Sequence, residues 1–147
     1  NKGEYYRLIQ SVRDSGDWES WVLYILRGID ATATETIILV KQIKILMQEY
    51  KVKMRNCLEK QYSHELLNNI FSHPYTKIEF VMNDIKVSRI TAAKYLNKLV
   101  EHGLLEKVKM GTSNFYLNPE LTRLLINHSE NQNIEGFEAI ESISKMI

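Results

Sequence analysis

Cysteine is almost missing from this sequence. Cys57 stands alone among 147 residues, which excludes an intrachain disulfide scaffold. No uninterrupted apolar run approaches the roughly 20 residues that a membrane span requires, and the first residues carry no signal-peptide pattern. With one thiol and no span, the expectation is a soluble chain of the reducing, cytoplasmic compartment, with no membrane partner. Glycines number six and stand isolated, so no glycine-rich phosphate loop exists. His64, His73, His102 and His128 lie far apart and do not join Cys57 at any metal-ligand spacing. No serine sits in a nucleophile-elbow context. The chain is therefore expected to be no enzyme by itself, with no catalytic residue, no metal site and no cofactor of its own.

What is present is a globular balance, 44% apolar and 25% charged, with a net charge of +1. Residues 1–62 carry ten Lys/Arg against eight Asp/Glu, residues 63–128 eight against six, and residues 129–147 one against four. On that division no region is strongly basic. The chain opens on Asn1 rather than Met, and the expectation is a C-terminal piece of a longer polypeptide.

Only Pro74 and Pro119 interrupt the chain, which favours long helices. Tyr5, Leu8, Ile9 and Val12 share one helical face. Asp14-Ser15-Gly16 ends that helix, and Asp17 is placed to cap the next. The second helix is predicted from Trp18 as far as Lys60, with a bend near Gly28. Ile29, Ala33, Thr36, Val40, Ile43, Met47, Tyr50 and Met54 alternate spacings of four and three, which suits a coiled-coil seam. Ile37, Ile38, Leu39, Ile45 and Leu46 widen that stripe, so a helix packed on several neighbours in the same chain is the preferred reading.

From residue 63 the texture changes to short segments with explicit stops. Ser63 caps a helix over Glu65–Phe71, closed before Pro74. Thr76-Lys77-Ile78-Glu79 reads as a capping box opening a helix to about Asp84, and Ser88 caps a third helix, Arg89–His102, ended by Gly103. Two short strands, Leu104–Lys109 and Asn114–Leu117, flank a turn containing Gly111. Asn118-Pro119 then opens a helix to about Asn127, and Phe137, Ile140, Ile143 and Ile147 form one weak amphipathic face in an acidic tail.

The predicted architecture is mainly α: a helical segment over 1–62, a winged helix-turn-helix over 63–128 and an acidic tail over 129–147. Ile78, Val81, Ile90, Ala93, Leu96, Leu99 and Val100 are expected to bury together. Arg89, Thr91, Lys94, Tyr95 and Lys98 then face outward, where such a fold presents its third helix to a DNA major groove. Candidate DNA-binding residues are Ser88, Arg89, Thr91, Lys94, Asn97 and Lys98 on the helix, and Lys107, Lys109, Thr112, Ser113 and Asn114 on the hairpin. The expected partner of the winged helix is double-stranded DNA or a protein. A pure protein–protein module and a free-standing dimeric DNA-binding transcriptional regulator of bacterial type are the rivals.

The run NKGEYYRLIQSVRDSGDWESWVLYILRGI, with its spacing of Tyr5-Tyr6, Trp18 and Trp21, resembles the stretch just downstream of the catalytic motif in Fic-family proteins (filamentation induced by cAMP). VSRITAAKYLNKLVEHGLLEKV followed by NFYLN looks like the winged helix that many members append. The resemblance covers nearly all of residues 1–128. It implies a parent that transfers AMP from ATP, with Mg²⁺, to a hydroxyl of a target protein through an H-P-F-x-x-G-N-G-R loop. That loop is absent here, because His73-Pro74-Tyr75 is followed by Thr76-Lys77-Ile78-Glu79. No catalytic residue is carried over, and the missing upstream catalytic domain is a further expected partner. Separation from an upstream catalytic domain would bare the surface around Tyr5, Tyr6, Trp18 and Trp21, so the isolated chain is expected to self-associate through helices before residue 62.

Overall fold

The computed structural model describes residues 2–129. The helices are α1 (Lys2–Ser15), α2 (Trp18–Leu58), α3 (His64–Ser72), α4 (Ile78–Ile85), α5 (Arg89–Glu101) and α6 (residues 119–129), with a 3-10 turn over Glu59–Gln61. Strands β1 (Tyr75–Thr76), β2 (Glu106–Met110) and β3 (Ser113–Leu117) form one antiparallel sheet in the order β1-β3-β2. The fold is thus mainly helical with a small sheet, as expected. The weak helix expected over Phe137–Ile147 lies outside the described residues.

The chain divides into two compact units, one containing residues 2–41 and the other Gln42–Asn127. In the first, α1 ends where the Gly16 N–H bonds the Val12 carbonyl at 3.0 Å. Asp17 then caps α2 by accepting the Ser20 N–H at 3.2 Å, as its position predicts. Leu8 is buried, and Trp18 meets Trp21 edge to face at 6.2 Å. α2 runs unbroken through Gly28, so the expected bend is not a break in the helix. The preferred packing reading for α2 holds only toward its C-terminus. Tyr50, Met54, Cys57 and Leu58 are buried, whereas Ile29, Ile37, Ile38, Val40 and Ile45 are each more than half exposed.

The second unit begins inside α2, ahead of the boundary expected at 62/63, because the end of that helix belongs to its core. Tyr50, Met54 and Leu58 pack with Leu66, Leu67 and Ile70 of α3, Val81 of α4, Ala92, Leu96 and Leu99 of α5, and Tyr116 of β3. Pro74 ends α3 as expected, but the chain then enters β1, a strand that the sequence reading lacks. Tyr75 pairs with Leu117 and Thr76 with Tyr116.

This strand overturns the expected capping box. Thr76 is buried in β1, and its hydroxyl donates to Asn69 Oδ1 at 2.6 Å instead of capping α4. Asn69 in turn donates to Asp84 Oδ2 at 2.6 Å, so one polar chain joins β1, α3 and α4. The N-cap of α4 is Lys77, which makes no side-chain capping bond. Pairing in β1 holds Thr76 one residue ahead of the N-cap with its side chain buried toward Asn69, so its oxygen caps no N–H of α4.

Asn118 caps α6 by accepting the Leu121 N–H at 3.1 Å, as predicted, and it does more. Its Nδ2 donates to the Ile70 carbonyl at 3.2 Å, its backbone N–H donates to the Pro74 carbonyl at 2.8 Å, and its Oδ1 lies 3.0 Å from the Tyr50 hydroxyl. That hydroxyl also lies 3.1 Å from the Leu104 carbonyl, so one proton is shared between two acceptors. Burial, and secondarily the Glu120 carboxylate, push Tyr50 up to about 12, with Arg123 opposing. A folded-state value above the ordinary 10.0 means stability is intact below pH 10 and falls as pH rises toward 12. Asn118→Ala should cost about 3 kcal/mol in chemical denaturation, because several buried groups lose their partner together. Tyr50→Phe should cost only about 1 kcal/mol at neutral pH and should flatten the alkaline fall relative to the unsubstituted chain.

Candidate nucleic-acid interface

The turn between α4 and α5 is built from Lys86, Val87 and Ser88. Lys86 takes the left-handed conformation at φ +58°, and its N–H bonds the Met82 carbonyl at 3.0 Å, closing α4. Val87 packs partly buried against the core. Ser88 caps α5, accepting the Thr91 N–H at 3.2 Å, and its hydroxyl lies 2.9 Å from that of Thr91. Both hydroxyls are therefore committed to the helix start.

Along α5 the buried residues are Ala92, Leu96 and Leu99, spaced i, i+4, i+7. This corrects the expected inward set. Ala93 and Val100 are only partly buried, and Ile90 is 83% exposed. Two consecutive alanines leave the phase of the helix open, and Ala92 is the one that turns inward. The outward stripe is consequently rotated to Ile90, Lys94, Asn97 and Glu101, all exposed, while Thr91, Tyr95 and Lys98 sit on the flanks, half-buried.

Arg89 does not stand loose on this surface. Its guanidinium donates to Glu79 Oε1 at 2.8 Å, bridging α5 to α4. The Glu79 backbone N–H and then the Arg89 guanidinium hold the Glu79 carboxyl below its ordinary value. Both side chains are largely solvated, so the pair adds at most about 1 kcal/mol. Its more important consequence is to occupy one of the candidate cations.

The hairpin turns at Gly111, which takes φ +60°, and exposes Thr112, Ser113 and Asn114 at its tip. Pairing of Lys107 with Tyr116 and Lys109 with Asn114 puts both lysines on the sheet face that carries Tyr116. Lys107 Nζ lies 5.7 Å from the Tyr116 ring and 3.5 Å from Asn97 Oδ1, which also accepts the Tyr116 hydroxyl at 3.2 Å. Helix and hairpin candidates thereby meet at Asn97 and form one surface. The opposite sheet face carries a cluster absent from the sequence reading: Tyr75 against Phe115 at 5.5 Å, with Lys77 Nζ 4.3 Å from the Phe115 ring. Its signal was the alternation of Tyr75 and Lys77 around buried Thr76, visible only once β1 is recognised.

Division of charge along the structural boundary changes the electrostatic picture. Gln42–Asn127 holds thirteen Lys/Arg against eight Asp/Glu, a net of +5. Cys57 is buried in the core, where desolvation pushes its thiol up and disfavours the thiolate. Among the described residues no group of His, Cys, Asp and Glu side chains is arranged to hold a metal ion. No helix among the described residues is long and apolar enough to cross a membrane. The phase of α5 is directly testable. Ala92→Leu should lower stability by about 1 to 3 kcal/mol through overpacking, whereas Ile90→Ala should leave the denaturation midpoint within about 0.5 kcal/mol.

A family model described as the C-terminal domain of SoFic-like protein adenylyltransferases matches residues 46–121. The match covers just over half of the chain and falls within the compact unit that carries the helix and hairpin. The chain belongs to this family of adenylyltransferase C-terminal domains.

Proposed function

We propose that Gln42–Asn127 is a winged helix-turn-helix module that binds double-stranded DNA. In this reading it serves as the non-catalytic, regulatory or targeting part of a protein adenylyltransferase. The observation that carries the reading is the junction at Asn97, where the outward face of α5 and the cationic face of the hairpin become continuous. The net +5 of the unit supports it, because phosphate attraction supplies most sequence-independent affinity. Glu101, at the C-terminal end of the outward stripe, restricts groove contact to the first turns of α5, where recognition helices meet base edges. Lys107 and Lys109 then lie toward the phosphates, with Thr112, Ser113 and Asn114 as neutral donors.

The AMP transfer itself, with its ATP and Mg²⁺, is assigned to polypeptide outside this chain, which lacks the H-P-F-x-x-G-N-G-R loop. The exposed apolar stretch of α2, from Val22 to Ile45, supports a helical segment completed by that catalytic domain. Without it the chain should form a dimer or larger assembly. Light scattering at micromolar concentration checks this, and a clean monomer contradicts it.

Duplex retention tests the DNA reading. Lys94→Glu with Lys98→Glu should abolish retention of a random-sequence duplex while leaving circular dichroism unchanged. With roughly four cations on phosphates, log affinity should fall against log salt with a slope of about −3.6. Retention that ignores both substitutions, or a flat salt dependence, favours the protein–protein module instead. Glu79→Gln releases Arg89 and should tighten duplex binding about two- to fivefold, a change read from the same titration.

A further inference from the structure

We infer that Ile90 is the residue through which this module reads sequence, by apolar contact with the C5-methyl group of a thymine in the major groove. The inference rests on the DNA-binding reading above. Ile90 is 83% exposed, more than any other large apolar side chain described. It occupies the first turn of α5 at the head of the outward stripe, one helical turn before Lys94. Its polar neighbours are already engaged. Arg89 is held by Glu79, Ser88 and Thr91 close the cap, and Asn97 accepts from Tyr116 and Lys107. Ile90 makes no contribution to the core that would explain an isoleucine there. An isoleucine side chain carries no donor or acceptor, so it recognises neither phosphate nor a hydrogen-bonding base edge. The thymine methyl is the apolar feature that the major groove displays. The cation that would hold the helix in the groove, Lys94, stands on the same stripe, which favours a nucleic acid over an apolar protein surface as the occupant.

The experiment selects duplexes from a random pool with the full chain. Each thymine of the enriched sequences is then replaced by deoxyuridine, which lacks only the methyl group. Loss of one methyl contact should weaken binding about fourfold at one or two positions, the equivalent of about 0.8 kcal/mol per buried carbon. Ile90→Ala should bind the thymine and uracil versions equally, with an unchanged thermal unfolding curve. Enriched duplexes that tolerate uracil everywhere overturn the inference, as does an Ile90→Ala chain that keeps the fourfold penalty. Retention of duplexes without any sequence enrichment also overturns it, while the DNA-binding reading stands. If the unsubstituted chain retains no duplex at low salt, the DNA-binding reading itself fails and this inference falls with it.

Discussion

The carboxamide of Asn118 ties the end of the sheet to three helices. It accepts from Leu121 at the start of α6, donates to the Ile70 carbonyl near the end of α3 and approaches the Tyr50 hydroxyl on α2. The group is wholly buried, so each of these partners would otherwise be stranded away from water. Only an amide serves, because the site asks for a donor and an acceptor at once and offers no counter-charge for a carboxylate. The backbone of the same residue bonds Pro74, directly before β1, so the position of β3 is set from both sides. The hairpin continues from β3, and the separation between Lys107 and Asn97 therefore depends on a residue that touches neither.

Local chemistry made much of this unit legible. Ser63, Asp17, Ser88 and Asn118 all cap the helices their sequence positions indicate, because a cap is satisfied within three residues and needs no tertiary partner. Thr76 is the instructive failure. Its sequence context is that of a cap, yet the acceptor that captures its hydroxyl, Asn69, lies on the other side of Pro74. The two-residue strand β1 failed for the same reason. It exists because β3 offers it a partner some 40 residues later, and no pattern of two residues announces that. Ile90 failed differently. Its hydrophobicity places it inside on any composition rule, but the helix can bury only one stripe, and Ala92, Leu96 and Leu99 take it.

Electrostatics were hidden by the choice of boundary. Cutting at residue 62 separates Lys44, Lys51, Lys53, Arg55 and Lys60 from the domain to which the end of α2 belongs, and each part then looks nearly neutral. The boundary at Gln42 returns those side chains to one body and raises its net charge to +5. Those basic side chains share a compact body with the helix and the hairpin, and charges within about a Debye length contribute to the field there. The same body is the one matched by the adenylyltransferase C-terminal family, which begins at residue 46, within α2.

α2 shows how far periodicity reaches as an argument. Ile29, Ala33 and Val40 follow the same alternation of four and three as Tyr50 and Met54, with no change of pattern between them. Yet Tyr50 and Met54 are sealed in the core while Ile29 and Val40 stand more than half exposed. The alternation states that a face is apolar and says nothing of what covers it. Tyr50 and Met54 meet α3, α5 and β3, elements that follow within the same compact unit. Burial of the upstream face would remove several large side chains from water, each contributing roughly 1.5 to 3 kcal/mol. A helix that carries such a face into solvent would gain that energy from whatever covered it, and the alternation alone does not name the cover.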